Sequence, residues 1–215
     1  MLMLRSTHMA LELDHILCMV DDLDRIAARL ERDGWPMDAG TTHPGEGTRN
    51  RRLLWPEQHL ELLSVVNHEE ARSSALRLDR RAGWRLTGAS PFGLGFRGAL
   101  TGLCQDDFWL HEEDAARIWI HRDNQLAPER PLVFVIEAAG EALERRRPRA
   151  SHREMMAAWD GPALHGVNIS GPQTCKLPPY RGPLVTQTRG PHHLELVSGT
   201  DSRALEISPV LTLRA

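Results

Sequence analysis

The sequence predicts an α+β fold that contains a repeated unit, on three observations. The stretch LELDHILCMVDDLD, Leu11 to Asp24, joins a histidine-bearing strand directly to the start of an amphipathic helix. A glycine-rich stretch then leads into two strand-like runs, the second of which, HLELLSVV, carries a glutamate among apolar residues. Finally, HLELLS at 59–64 returns as HLELVS at 193–198, while DHI around His15 and LHG around His165 both open strand-like stretches. Two echoes in the same order favour a duplicated module more than either match alone.

Each element follows from local pattern. Leu11, Leu13, His15, Leu17 and Met19 alternate onto one strand face, and from Ile16 both faces are apolar, as in a sheet covered on two sides. Taken by itself, a histidine pointing the same way as leucines is more often a hydrogen-bonded core residue than a ligand. Asp21 or Asp22 caps a helix with Leu23, Ile26, Ala27 and Leu30 at i, i+3, i+4 and i+7; Gly34 closes it, and Trp35-Pro36 cannot continue it. GTTHPGEGTRN, with glycines at 40, 45 and 47 and a proline at 44, reads as a loop. Arg51 to Trp55 reads as a strand, Pro56 to Gln58 as a turn and His59 to Val66 as a strand. On that last strand His59, Glu61, Leu63 and Val65 share a face. A mid-strand ionised carboxylate such as Glu61 costs several kcal/mol unless it is solvated, paired or bound to a cation.

Residues 67–90 read as helix, then loop, and Phe92 to Arg97 as a strand whose glycines do not form a GxGxxG nucleotide motif. Residues 104–124 carry both helical and strand periodicity, so their boundary stays open. PLVFVIEA, Pro131 to Ala138, is an apolar strand ending at Glu137, followed by an arginine-rich linker and a short helix around Arg153 to Trp159. A strand begins at Ala163. The tail alternates strands with turns at Leu184 to Thr188, His192 to Ser198 and Leu205 to Leu213, the last broken by Pro209. The pattern divides as 1–67, 68–150 and 151–215, packed as one unit.

Composition excludes several classes. The hydrophobic and charged fractions, 41% and 26%, are those of an ordinary globular protein. A formal charge of −3 with arginines scattered among acids gives no sign of a nucleic-acid partner. Cys18, Cys104 and Cys175 are too far apart to suggest a disulfide framework or thiolate zinc site, which fits a reducing cytoplasm. MLMLRST is too short for a secretory signal, and nothing approaches the roughly 20 apolar residues of a membrane helix.

LDHILCMVDDLDRIAARLERDGW, the loop HPGEGTRN and the strand HLELLSVV resemble the glyoxalase-like branch of the vicinal oxygen chelate superfamily, strongly over Leu11 to Asn67 and more loosely beyond. The resemblance implies paired βαβββ modules forming an open, barrel-like cup around a divalent metal ion, with Zn, Ni, Mn, Fe and Co all compatible with nitrogen and oxygen ligands. It implies that His15 and Glu61 are metal ligands, with His165 their counterpart in an irregular C-terminal module. Glu206, Glu195 and Glu137 compete for the remaining carboxylate, of which Glu206 is the expected one. His43 and Asn50 bracket the loop that the resemblance places at the cup's mouth, so they are candidate substrate contacts, although Asn50 is equally suited to fixing the turn. The expected activity is metal-assisted isomerase, lyase or epimerase chemistry, or ring-cleaving dioxygenation, on a small oxygen-bearing molecule, with Glu61 moving a proton. The competing expectation is a cup that binds small molecules without turnover. Modules of this kind pair within one chain or between two, which leaves a homodimer open.

Overall fold

A computed structural model describes residues 11–100, 105–113, 116–137, 150–199 and 204–214. The first module is β1 (Leu11–Met19), α1 (Leu23–Arg32), β2 (Thr41–His43), β3 (Thr48–Leu54) and β4 (His59–Val65). The side chain of Asp22 accepts from Arg25 N at 3.0 Å and starts α1, whose Leu23, Ile26, Ala27 and Leu30 are buried. The expected loop at 40–50 instead forms the β2–β3 hairpin, with Thr41 opposite Asn50 and His43 opposite Thr48. Its glycines make the turn rather than a free loop. Gly47 has φ +65°, and a Cβ there would lie 2.2 Å from Asn67 O.

Three short helices, α2 (His68–Ser73), α3 (Leu78–Ala82) and α4 (Trp84–Thr87), lead to β5 (Phe92–Arg97). A single 3-10 turn at Gln105–Asp107 precedes β6 (Phe108–Glu113) and β7 (Ala116–His121), so the segment of ambiguous periodicity is a hairpin. After α5 (Asp123–Leu126), β8 (Leu132–Glu137) closes the second module. The sheet runs β2-β3-β4-β1-β5-β8-β7-β6. Each module has its first strand parallel to its last and its remaining strands antiparallel, and the modules meet at the antiparallel β1–β5 seam. This is the curled, paired-module sheet of an α+β cup.

The partner of the first module is therefore residues 92–137 rather than the C-terminal segment. After α6 (Ala150–Ala158), that segment forms β9 (Gly166–Gly171), β10 (Tyr180–Arg181), β11 (Leu184–Arg189), β12 (His193–Val197), β13 (Ala204–Ser208) and β14 (Leu211–Arg214). β10 pairs with the start of β1, and the others form a second sheet, β11-β9-β12-β14-β13. The second sheet repeats the central pairing of the first: β9 is parallel to β11, antiparallel to β12, and β12 is parallel to β14. HLELVS is thus a first-position strand, whereas HLELLS is a last-position one. The sequence echo joins strands of different rank.

The two faces of the cup sheet bury different cores. Ile16, Cys18, Val20, Phe92, Leu94, Phe96, Val133 and Val135 pack with α1 and with Val167, Ile169, Leu194 and Leu196 of the second sheet. Leu17, Met19, Leu63, Ile118, Ile120, Leu132, Phe134 and Ile136 line the inner face with Leu76 and Leu78. The five odd positions of β1 do not share a face, because the β1–β5 register shifts between Leu13 and His15. That irregularity sends Leu11 and Leu13 to the outer core and turns His15 inward with Leu17 and Met19. Among the described residues, no helix is long and apolar enough to cross a membrane.

Candidate functional site

Four of the six expected site residues meet on the inner face of the first module. His15 is 6% exposed, with Nδ1 2.8 Å from Asp14 Oδ2 and Nε2 3.6 Å from Glu61 Oε2. Burial alone would raise the pKa of Asp14, but the hydrogen bond with His15 and the charges of His15, His59 and Arg97 hold it well below the usual carboxylate range. Asp14 is consequently an ionised acceptor, and Nδ1 carries the donated proton. In a neutral imidazole this leaves the Nε2 lone pair facing a carboxylate oxygen. Two electron-rich atoms in that position require a proton or a cation between them.

Glu61 is held from its other side, where Oε1 accepts from Asn50 Nδ2. Asn50 is 4% exposed, and its Oδ1 accepts from Thr41 N at 2.8 Å. One side chain thus fixes the hairpin and orients the carboxylate. Asn50 Nδ2 lies 3.3 Å from His43 Nε2, while His43 Nδ1 lies 3.0 Å from Thr48 Oγ1.

Residues not anticipated complete the wall. His59, opposite His15 in the parallel β1–β4 register, stacks on it with ring centroids 4.6 Å apart and planes inclined by 13°. Donor atoms of Asp14, His15 and His59 lie within 4.8 Å of one another. Glu46 sits 3.9 Å from both His43 and, across the module boundary, His111 of β6. The signal for His59 was present in its i, i+2 relation to Glu61, since both belong to one strand face.

The remaining two residues do not join this group. His165 is exposed just before β9, where its backbone N–H donates to Val197 O, and Glu206 is exposed on the edge strand β13. Both belong to the second sheet, which packs on the opposite side of the cup sheet from His15. Neither competing glutamate comes closer in role. Glu195 accepts from Asn168 and Arg214 in the second sheet, and Glu137 accepts from Trp119 Nε1 at 3.0 Å and pairs with Arg117 at 3.1 Å.

The second module faces His15 with an apolar surface. Gly95 pairs with His15 across the seam, and a Cβ there would lie 2.6 Å from His15 Cε1 and 2.8 Å from Phe134 Cζ. Phe134 meets the His15 ring edge-on at 5.1 Å.

A family model described as a glyoxalase-like domain matches residues 13–99, the stretch running from the His15 strand to the seam strand β5. That segment is similar to a glyoxalase-like domain. The chain shares its fold with a hypothetical protein from Staphylococcus aureus, at a TM-score of 0.56 and 11% identity over 96% of this chain and 99% of that one. Methylmalonyl-CoA epimerase from Mycobacterium tuberculosis aligns with 62% of this chain and 91% of its own, at 18% identity and a TM-score of 0.43. No curated protein sequence matches the chain.

Proposed function

We propose that the chain is a cytoplasmic, metal-dependent enzyme of isomerase, lyase or epimerase type, acting on a small organic molecule that presents two neighbouring oxygens. The observation that carries this reading is His15 Nε2 set 3.6 Å from Glu61 Oε2. His15 and Glu61 are close enough that they would hold one divalent ion together. An ion held there supplies Lewis acidity to the substrate's oxygens. Asp14 fixes the tautomer and aim of His15, as outer carboxylates do for ligating histidines, and Asn50 fixes Glu61. Glu61 is the proton acceptor closest to that position, and His43 extends the polar wall to the side where substrate would bind. The apolar surface of Ile118, Ile120, Leu132 and Phe134 excludes water and strengthens every charge interaction opposite it.

The test is elemental analysis of the purified protein together with thermal melts in Zn, Ni, Mn, Fe and Co salts. About one divalent ion per chain is expected, lost in both His15→Ala and Glu61→Ala. Absence of bound or stabilising metal, with both variants behaving as wild type, overturns the proposal. A second reading, a cup that binds a small molecule without turnover, is favoured by Gly93 and Gly95 standing on β5 with no side chain to offer a reacting group. It requires ligand binding that survives metal removal.

A further inference from the structure

We infer that the chain carries a second ligand site, separate from the inner face of the cup, that takes a small carboxylate with a short aliphatic body. A cleft of about 370 Å³ opens where β1 and β4 end, between their last residues and the helices α2 and α3. None of His15, Glu61, Asn50 and His43 lines it. Along β4, Ser64 of the cleft lies three residues beyond Glu61, about 10 Å at the rise of a strand. Leu63 and Met19, packed in the inner core with Leu76 and Leu78, occupy the ground between the two places.

The charges of the cleft are unevenly satisfied. Arg77 Nε and Nη2 donate to the two oxygens of Asp79 at 3.0 and 3.1 Å, and Arg85 Nη1 donates to both oxygens of Asp21 at 3.2 and 2.9 Å. Both acids that line the cleft are thus matched by arginines standing outside it. Arg72, in the last turn of α2, lines the cleft and forms no ion pair among the described residues. The charge left over is positive. Ser64 adds a buried donor: it is 8% exposed, and its hydroxyl makes no hydrogen bond among the described residues. A buried polar group in that condition gains from a ligand that bonds it. A guanidinium presents two parallel N–H donors that match the two oxygens of a carboxylate, and His68 offers ring nitrogens beside them. Val20, Val65 and Ala82 supply apolar surface for a few methylene groups. Inorganic phosphate would leave that surface unused, so the cleft favours an aliphatic carboxylate.

The experiment is titration of the full chain with butyrate, with its neutral analogue butyramide and with inorganic phosphate, followed by the methyl NMR signals of Val20, Val65 and Ala82. Butyrate is expected to move these signals saturably with a Kd on the order of millimolar, as a ligand of about six non-hydrogen atoms at an open site allows. Butyramide should not saturate, and phosphate should bind more weakly than butyrate. Arg72→Gln, a change at an exposed helix end, should weaken butyrate binding by about tenfold, and Ser64→Ala by about threefold. Arg189→Gln on β11 should leave it unchanged. The inference is overturned if butyrate moves none of these signals or moves them without saturation, if butyramide binds as tightly, or if folded Arg72→Gln binds butyrate like wild type. Tighter binding of phosphate overturns the carboxylate assignment. A saturable shift confined to Ile118 and Leu132 of the inner face puts butyrate in the cup and defeats the cleft site, while leaving the metal reading intact.

Discussion

Replacing Gly95 by alanine tests the seam at the point where the two modules press on His15. The added Cβ would stand 2.6 Å from His15 Cε1, 2.9 Å from His15 Nδ1 and 2.8 Å from Phe134 Cζ. All three separations are well inside van der Waals contact, and both rings are packed, so neither can swing clear as a surface side chain would. Inserting a methyl group into a filled core costs ~1–3 kcal/mol. For a chain of this length each kcal/mol lowers Tm by ~2–4 °C, which gives a fall of ~2–12 °C by calorimetry. Because the strain falls on His15, metal affinity should drop with it. Gly93→Ala is the internal comparison: its Cβ would meet Leu17 Cβ at 3.2 Å and Leu132 Cβ at 3.3 Å, a milder conflict. The Gly95→Ala, Phe134→Leu double variant should recover part of the loss, since one of the two opposing rings is gone. A Gly95→Ala protein that melts with wild type and binds metal equally well would refute the wedged placement of His15.

Three further outcomes follow from the same structure. Asn50→Ala removes the acceptor for Thr41 N and the donor to Glu61, so it should lower stability by ~1–3 kcal/mol in urea unfolding and weaken metal binding by ~10–100-fold. Arg81 is 1% exposed and donates to Asn124 Oδ1 and to the carbonyls of Ser90, Pro128 and Arg130; burial pulls its pKa down to about 10, so it stays charged at neutral pH. Arg81→Met strands those acceptors and should cost ~3–5 kcal/mol in the same assay. His192 packs against Trp84 and Phe92, and burial lowers its pKa against an opposing contribution from Gly88. With the folded pKa below the unfolded one, its stabilising contribution is complete above the ordinary histidine range and is lost as pH falls through the folded value. The Tm of wild type should therefore fall more steeply than that of His192→Phe between pH 7 and 5, and parallel profiles would exclude the effect.

The first module was legible because its signals are local and mutually consistent. The alternation of β1, the Asp22 cap and the apolar stripe of α1 each describe the same unit, and Glu61 stood out as a carboxylate on an apolar strand. The second module was hidden for an equally physical reason. β6 is an edge strand rich in charge, and FWLHEE read through to ARIWIH satisfies helical spacing as well as a hairpin does. The hairpin at 40–50 was masked by turn glycines, because β2 spans only three residues. Facing of β1 could not be read from alternation, since one register shift reverses it. His165 was drawn into the expected site by the echo of DHI in LHG, and Glu206 by counting strands toward the end of the chain, but rank within a sheet depends on long-range pairing that neither encodes.

The antiparallel seam between β1 and β5 has a consequence for how the cup behaves on dilution. Both halves are covalently continuous and share backbone hydrogen bonds along the seam, so each sees the other at a fixed effective concentration, independent of how much protein is in solution. The wall that holds His15 and the wall that shields it cannot separate as free subunits do. Metal affinity per chain should accordingly stay constant from micromolar to nanomolar protein, whatever further assembly the chain enters.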